Sequence, residues 1–307
     1  MTLSIAWVRR IGPTPELIFA SDSRLTGGGN VDHCQKVFSL PREDCCITFA
    51  GSTMIAYPFI LQLQNIVLEY KKLLDRALDV HDLRGKVLAL LNRFIGAHEE
   101  AVQDDFQADL LITSFLFGGW SWKKSRFYIW RLFYDPAAKR YVASGPTVSH
   151  QLGLDQSEPV ELAHIGDYRP DFMRRLRYLL NDKIEEARNT GATVNLNYEP
   201  LAALAEMLAD PDYTDRKREL KGLIGGGPQV MKVYPYLRTL TYAVEWDHKG
   251  KFVYVLRGRV IADYELFTVP GIDPFTGQTR KPVRGRDSDL PSSMADSTVG
   301  RPLTDDE

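Results

Sequence analysis

The chain has 307 residues, with 38 Lys and Arg against 40 Asp and Glu and a formal net charge of −2. Apolar residues make up 44% and charged residues 25%, the balance of a water-soluble globular protein. Near-neutral charge gives no bulk attraction to nucleic acid or to an anionic membrane. No apolar run is long enough to span a bilayer, and no basic segment with an apolar signal core stands at the start. Cys34, Cys45 and Cys46 are too few and too oddly spaced for a disulfide framework, so a reducing cytoplasm is the expected setting.

Ile5 to Val8 and Leu17 to Ala20 are short apolar runs joined by "RRIGPTPE", whose Pro and Gly predict a hairpin loop. "LTGGGN" (Leu25 to Asn30) reads as a glycine-rich turn before a strand around Lys36 to Leu40, and "CCITFAG" as a buried strand ending in glycine. Four strands are therefore expected before any helix. Ile55, Phe59, Leu63, Ile66, Val67, Tyr70 and Leu74 recur at spacings of three and four, the stripe of an amphipathic helix. Leu83, Val87, Leu90, Leu91 and Phe94 repeat that pattern in a second helix.

Strands are expected again in "DLLITSFLFGGW", "RFYIWRLFYD", "RYVAS" and "VELAHIG". Pro170 suits a first helical turn, and Phe172, Met173, Leu176, Leu179, Leu180 and Ile184 predict a third helix. A fourth starts near Pro200. "GLIGGGPQVMKVY", "TYAVEWD" and "FVYVLRGRVI" return to strand. Past about Pro270 the composition turns polar and rich in Pro, Gly and Ser, which predicts a domain over 1–270 and a flexible tail over 271–307. Helices come in pairs between blocks of strands, which argues against a doubly wound parallel sheet. An α+β arrangement buries every stripe: two antiparallel sheets face to face, with a helical pair on each outer face.

Four fragments in this order carry a family resemblance: Thr2 at the head of the first strand, Asp22-Ser23-Arg24 after the second, Lys36 in "QKV", and Ala50-Gly51. They resemble the proteasome β-subunit and the peptidase subunits of bacterial two-component ATP-dependent proteases, which are N-terminal-nucleophile hydrolases. The resemblance spans roughly Thr2 to Trp246. It implies a four-layer αββα sandwich and a threonine peptidase whose nucleophile is Thr2 once Met1 is removed. It also implies a homo-oligomeric ring, a polypeptide substrate, an ATP-dependent unfoldase as a further partner, and no cofactor, metal, nucleic acid or membrane.

The chemistry suits those residue types. A threonine hydroxyl needs a base, and a free α-amine has a reference pKa of about 7.7–8.0, so a useful fraction is neutral near neutral pH. In the family arrangement Lys36 lies beside Thr2 and favours the neutral amine and the forming alkoxide. At an effective dielectric near 20, a charge about 4 Å away contributes up to roughly 4 kcal/mol. Asp22 fixes Lys36, and the N–H of Gly51 faces the oxyanion.

Two stretches depart from the family pattern. Gly166 is followed by Asp167 and Tyr168 instead of a small serine-containing turn. Asp167 is placed to bond the amine while its charge raises the amine pKa. "KGLIGGG" lacks the Asp and Ser that precede the family's Gly-Gly pair, and Asp215 is the nearest upstream acid. Two other readings therefore stand beside the peptidase: a non-catalytic scaffold or binding subunit that retains Met1, and an amidohydrolase acting on a small amide.

Overall fold

The computed structural model describes residues 2–12, 14–27, 29–97, 103–146, 152, 160–215, 217, 222–236, 238–248, 250–262 and 264–284. Strands β1 (Leu3–Arg9), β2 (Glu16–Ser21), β3 (Leu25–Gly27), β4 (Gly29–Val31), β5 (Val37–Ser39) and β6 (Cys45–Ala50) come first. Helices α1 (Thr53–Glu69), α2 (Lys71–Leu74), α3 (Val80–Gly96) and α4 (Gln103–Ile112) follow. Then come β7 (Ser114–Ser121), β8 (Arg126–Asp135), β9 (Arg140–Ser144) and β10 (Leu162–Gly166). The second helical block is α5 (Arg169–Leu179), α6 (Asn181–Thr190), α7 (Glu199–Ala209) and α8 (Pro211–Thr214). The last strands are β11 (Gln229–Val233), β12 (Thr239–His248), β13 (Lys251–Leu256), β14 (Arg259–Val260), β15 (Leu266–Ile272) and β16 (Thr279–Arg284).

One sheet runs β10-β1-β2-β11-β12-β13-β14, with β15 joined to β12 and β16 to β15. The other runs β5-β6-β7-β8-β9. All pairings are antiparallel among the described residues except β12 with β15, which run parallel.

The central strands are apolar on both faces, as strands covered on both sides must be. In β1, Leu3, Ile5 and Trp7 join a core with Phe172, Leu176, Leu201 and Leu204 of α5 and α7. Ala6 and Val8, on the opposite face, join Cys46, Ala50, Leu116 and Ile129 of the second sheet. That sheet turns Ile47, Phe49, Phe115 and Phe117 to Phe59, Leu63, Leu83 and Val87 of α1 and α3.

Several expectations are corrected. "LTGGGN" is a small hairpin of β3 and β4, so six strands precede the first helix. Asp109 to Ile112 close α4 and do not open a strand. Thr113 Oγ1 donates to the Asp109 carbonyl at 2.6 Å and accepts the Ser52 N–H at 2.9 Å, which ends the helix and releases β7 from Ser114. The third helix is interrupted at Leu180. Residues 271–284, expected in the tail, extend β15 and form β16. Ile272 is fully buried, pairs with Val244, and brings Phe275 into a stack on Trp246. Residues 285–307 lie outside the described residues, as do most of residues 147–158. The segment over 189–199 is tied down where Trp7 Nε1 donates to the Asn197 carbonyl at 2.8 Å.

Candidate active site

Strand β1 lies between β2 and β10, so Thr2 at its head is flanked on both sides and is 1% exposed. Register brings the flanking groups in. Ser4 pairs with Ser21, so the residue that follows β2, Asp22, comes beside Leu3. The Leu3 N–H donates to Asp22 Oδ1 at 3.1 Å, and the Asp22 N–H to the Leu3 carbonyl at 3.3 Å. Lys36 immediately precedes β5 on the facing sheet, and its ammonium crosses the inter-sheet space. Lys36 Nζ donates to Thr2 Oγ1 at 2.6 Å and to Asp22 Oδ1 at 2.9 Å.

Lys36 and Asp22 are each 0% exposed. Burial pushes the lysine below its ordinary range against the pull of Asp22, and pushes the carboxyl up against the pull of Lys36. The Asp22 carboxylate also accepts from the N–H groups of Arg24 (3.1 Å) and Gly225 (3.3 Å). With Leu3 and Lys36 that makes four donors, the environment of an anion and not of a protonated acid. Lys36 is thereby a buried cation, shared between a carboxylate and the threonine hydroxyl.

On the other flank, Leu3 pairs with Gly166 at the end of β10. Asp167 clamps Thr2 twice: its N–H donates to the Thr2 carbonyl at 2.7 Å, and its Oδ2 accepts the Thr2 N–H at 2.9 Å. Glycine is required at 166, where φ is +98° and a Cβ would overlap the Thr2 carbonyl oxygen. It is required again at 51, where φ is +110° and a Cβ would overlap the Ile112 carbonyl. Gly51 and Asp167 both line a cleft of about 860 Å³ that also touches β3, β4, α4 and β8. Thus Thr2, Asp22, Lys36 and Asp167 form one bonded constellation, and Gly51 borders the cleft that Asp167 lines.

Sequence reasoning missed the side chain that organises this centre. Gln229, 2% exposed at the head of β11, accepts the Lys36 N–H at 2.9 Å. Its Nε2 donates to the carbonyls of Asp22 (3.0 Å) and Cys34 (2.8 Å) and to Ser23 Oγ (3.1 Å). Ser23 Oγ in turn donates to the Gly227 carbonyl at 2.6 Å, and Arg24 forms a two-pronged ion pair with Asp32. Behind Thr2, Thr48, Ser4 and Ser21 link their hydroxyls in a buried chain. Asp215 takes no part: its Oδ1 accepts the Lys217 N–H in an exposed turn. Cys34 is no activated nucleophile, since burial raises its thiol.

Among the described residues no helix is long and apolar enough to cross a membrane. No family model and no curated protein sequence matches the chain. Among solved structures it is similar to Anbu (ancestral beta-subunit) from Yersinia bercovieri, at 14% identity and a TM-score of 0.49, covering 78% of this chain and 86% of that one. It is also similar to an Anbu (Gly-1) mutant from Hyphomicrobium sp. strain MC1, at 14% identity and a TM-score of 0.45, covering 78% of this chain and 87% of that one.

Proposed function

We propose that this chain is an N-terminal threonine peptidase of the proteasome-like, N-terminal-nucleophile type, active once Met1 is removed. The observation that carries the reading is Lys36 Nζ bridging Thr2 Oγ1 at 2.6 Å and Asp22 Oδ1 at 2.9 Å, with lysine and aspartate fully buried. A structural lysine needs only its carboxylate; one aimed at a hydroxyl as well lowers the cost of forming the alkoxide. The three apolar cores fit a four-layer αββα sandwich. Met54, Leu61 and Leu68, exposed on α1, supply apolar surface for a neighbouring copy in a ring. An unfoldase is the partner such a ring would need for folded substrates.

In this mechanism the freed Thr2 amine takes the proton from its own Oγ1, and the oxygen attacks the peptide carbonyl carbon. The oxyanion is met by the Gly51 N–H, and loss of such a donor typically costs about 3 kcal/mol of barrier. The amine then passes the proton to the leaving nitrogen, leaving an ester on Thr2. Water, activated by the same amine, hydrolyses that ester and returns the hydroxyl. Asp167 stabilises the protonated amine and so raises its pKa, which leaves less of the amine neutral and able to take the proton near neutral pH and makes the reaction slow.

A peptide epoxyketone tests the reading, because only an N-terminal Ser or Thr can close the morpholine-type ring it forms. Protein lacking Met1 is expected to gain the adduct mass. Thr2→Ala abolishes it, Lys36→Ala slows it strongly, and retained Met1 blocks it. Fully processed, folded protein with neither adduct nor peptide hydrolysis from about pH 6 to 9 would leave the scaffold reading in its place. Hydrolysis confined to small amides would favour the amidohydrolase.

A further inference from the structure

The cleft beside Thr2 is lined by two carboxylates and two guanidiniums, and they are not equivalent. Both carboxylates are engaged: Asp109 accepts the Ser52 hydroxyl at 2.7 Å, and Asp167 accepts the Thr2 N–H at 2.9 Å. Among the described residues, Arg131 and Arg169 meet no carboxylate at ion-pair distance.

Arg131 comes from β8 and Arg169 is the first residue of α5, two residues past Asp167. Arg169 is exposed, and on its own it would be an ordinary solvated arginine. Arg131 is not ordinary. It is half-buried, its guanidinium lies over the Phe133 ring at 5.0 Å, and its Nε is shut off from solvent with no described hydrogen-bond partner. A desolvated donor on a permanent cation is costly unless an anion arrives. The two cations also feel each other. After burial, Arg169 is the cause that holds Arg131 below the ordinary guanidinium range, and both arginines disfavour protonation of His164. The two guanidiniums therefore stand on the cleft wall without an ion-pair partner among the described residues, while Asp109 and Asp167 of the same cleft keep their charge and are held by neutral donors.

We propose that Arg131 and Arg169 form a carboxylate-binding subsite, so that the substrates turned over best carry a carboxylate beside the scissile bond. This rests on the peptidase reading for its reaction but not for its binding. The carboxylate is that of an acidic side chain or of a free peptide C-terminus; planar two-pronged pairing with a guanidinium suits both.

Two measurements test it. The first compares kcat/KM of processed protein on peptide pairs differing only as Glu against Gln near the cleaved bond, or as free against amidated C-terminus. A preference on the order of 10- to 100-fold is expected for at least one carboxylate member, as for charge-assisted pairs, and the favoured pair names the source. The ratio should fall towards one in Arg131→Gln and in Arg169→Gln, the second being an exposed site where folding is not at risk. The second measurement is calorimetric binding of the same peptides to Thr2→Ala protein. Equal turnover of both members of every pair would overturn the subsite and leave the peptidase intact. Absent turnover with preferential, arginine-dependent binding of the carboxylate peptide would keep the subsite and remove the peptidase. Neither turnover nor preferential binding would overturn the subsite as well.

Discussion

The two flanks of Thr2 are built by different means. On the β2 and β5 side, Asp22 and Lys36 are side chains at strand ends, fully buried and bonded to each other and to the hydroxyl. On the β10 and α5 side the contact is a turn: a glycine without a side chain, a backbone N–H, and a half-buried carboxylate facing the cleft. The first flank sets the charge at the hydroxyl and is closed to solvent. The second holds the nitrogen of Thr2 and is open to ligand. A sealed ion pair cannot readjust when one partner is lost, whereas an open turn can be rehydrated.

That difference predicts an asymmetry in stability. Lys36→Ala leaves the Asp22 carboxylate buried without its cation, and should cost about 3–5 kcal/mol. Asp167→Asn keeps an acceptor oxygen for the Thr2 N–H and should cost under about 1 kcal/mol. Urea unfolding followed by circular dichroism measures both. Similar losses for the two variants would break the comparison.

The same contrast explains what could be read from the sequence. Thr2, Asp22 and Lys36 are legible because they lie close together in the chain, in fragments whose order resembles a known family, and the β1–β2 register then brings Asp22 beside Leu3. Gln229 stands 193 residues from Lys36 and binds backbone groups, so nothing in "PQVMKV" marks it as more than a polar strand residue. Arg131 sits in "RFYIWRLFY", where alternation puts it on the same face as the buried Phe127 and Ile129 but toward no particular neighbour. The hairpin of β15 and β16 escaped because average composition hides two anchors, Ile272 and Phe275, that suffice to seat it on β12. Asp109 to Ile112 escaped because a short apolar run continues a helix as readily as it opens a strand.

Gln229 sharpens the comparison, because it serves the sealed flank from the far end of the chain. Gln229→Leu keeps the volume but orphans the Lys36 N–H and the carbonyls of Asp22 and Cys34. At about 1–3 kcal/mol for each buried group, and with partial relaxation, the expected cost is about 2–4 kcal/mol. Epoxyketone labelling should slow as well, since the strand end that delivers Lys36 loses its tie. Loss of stability with unchanged labelling would make Gln229 a packing residue only.

The smallest effect probes the open flank through pH. His164 lies on β10, two residues before Gly166, with Phe172 beside it at 6.0 Å between ring centroids. Burial first, then Arg169 and Arg131, lower its pKa from 6.5 to about 4. Between those values the unfolded chain binds the proton and the folded chain does not. Stability therefore rises with pH across this window, is fully present above about 6.5, and is lost as the pH falls toward about 4. For one such group the loss between about pH 7 and pH 5 is roughly 2 kcal/mol. His164→Phe has no proton to gain, so it should remove that share of the slope while leaving the part due to carboxylates. Urea midpoints at the two pH values, compared between wild type and variant, read the difference. An unchanged slope would mean that His164 titrates alike in both states, and that the cations of the cleft wall do not act on β10.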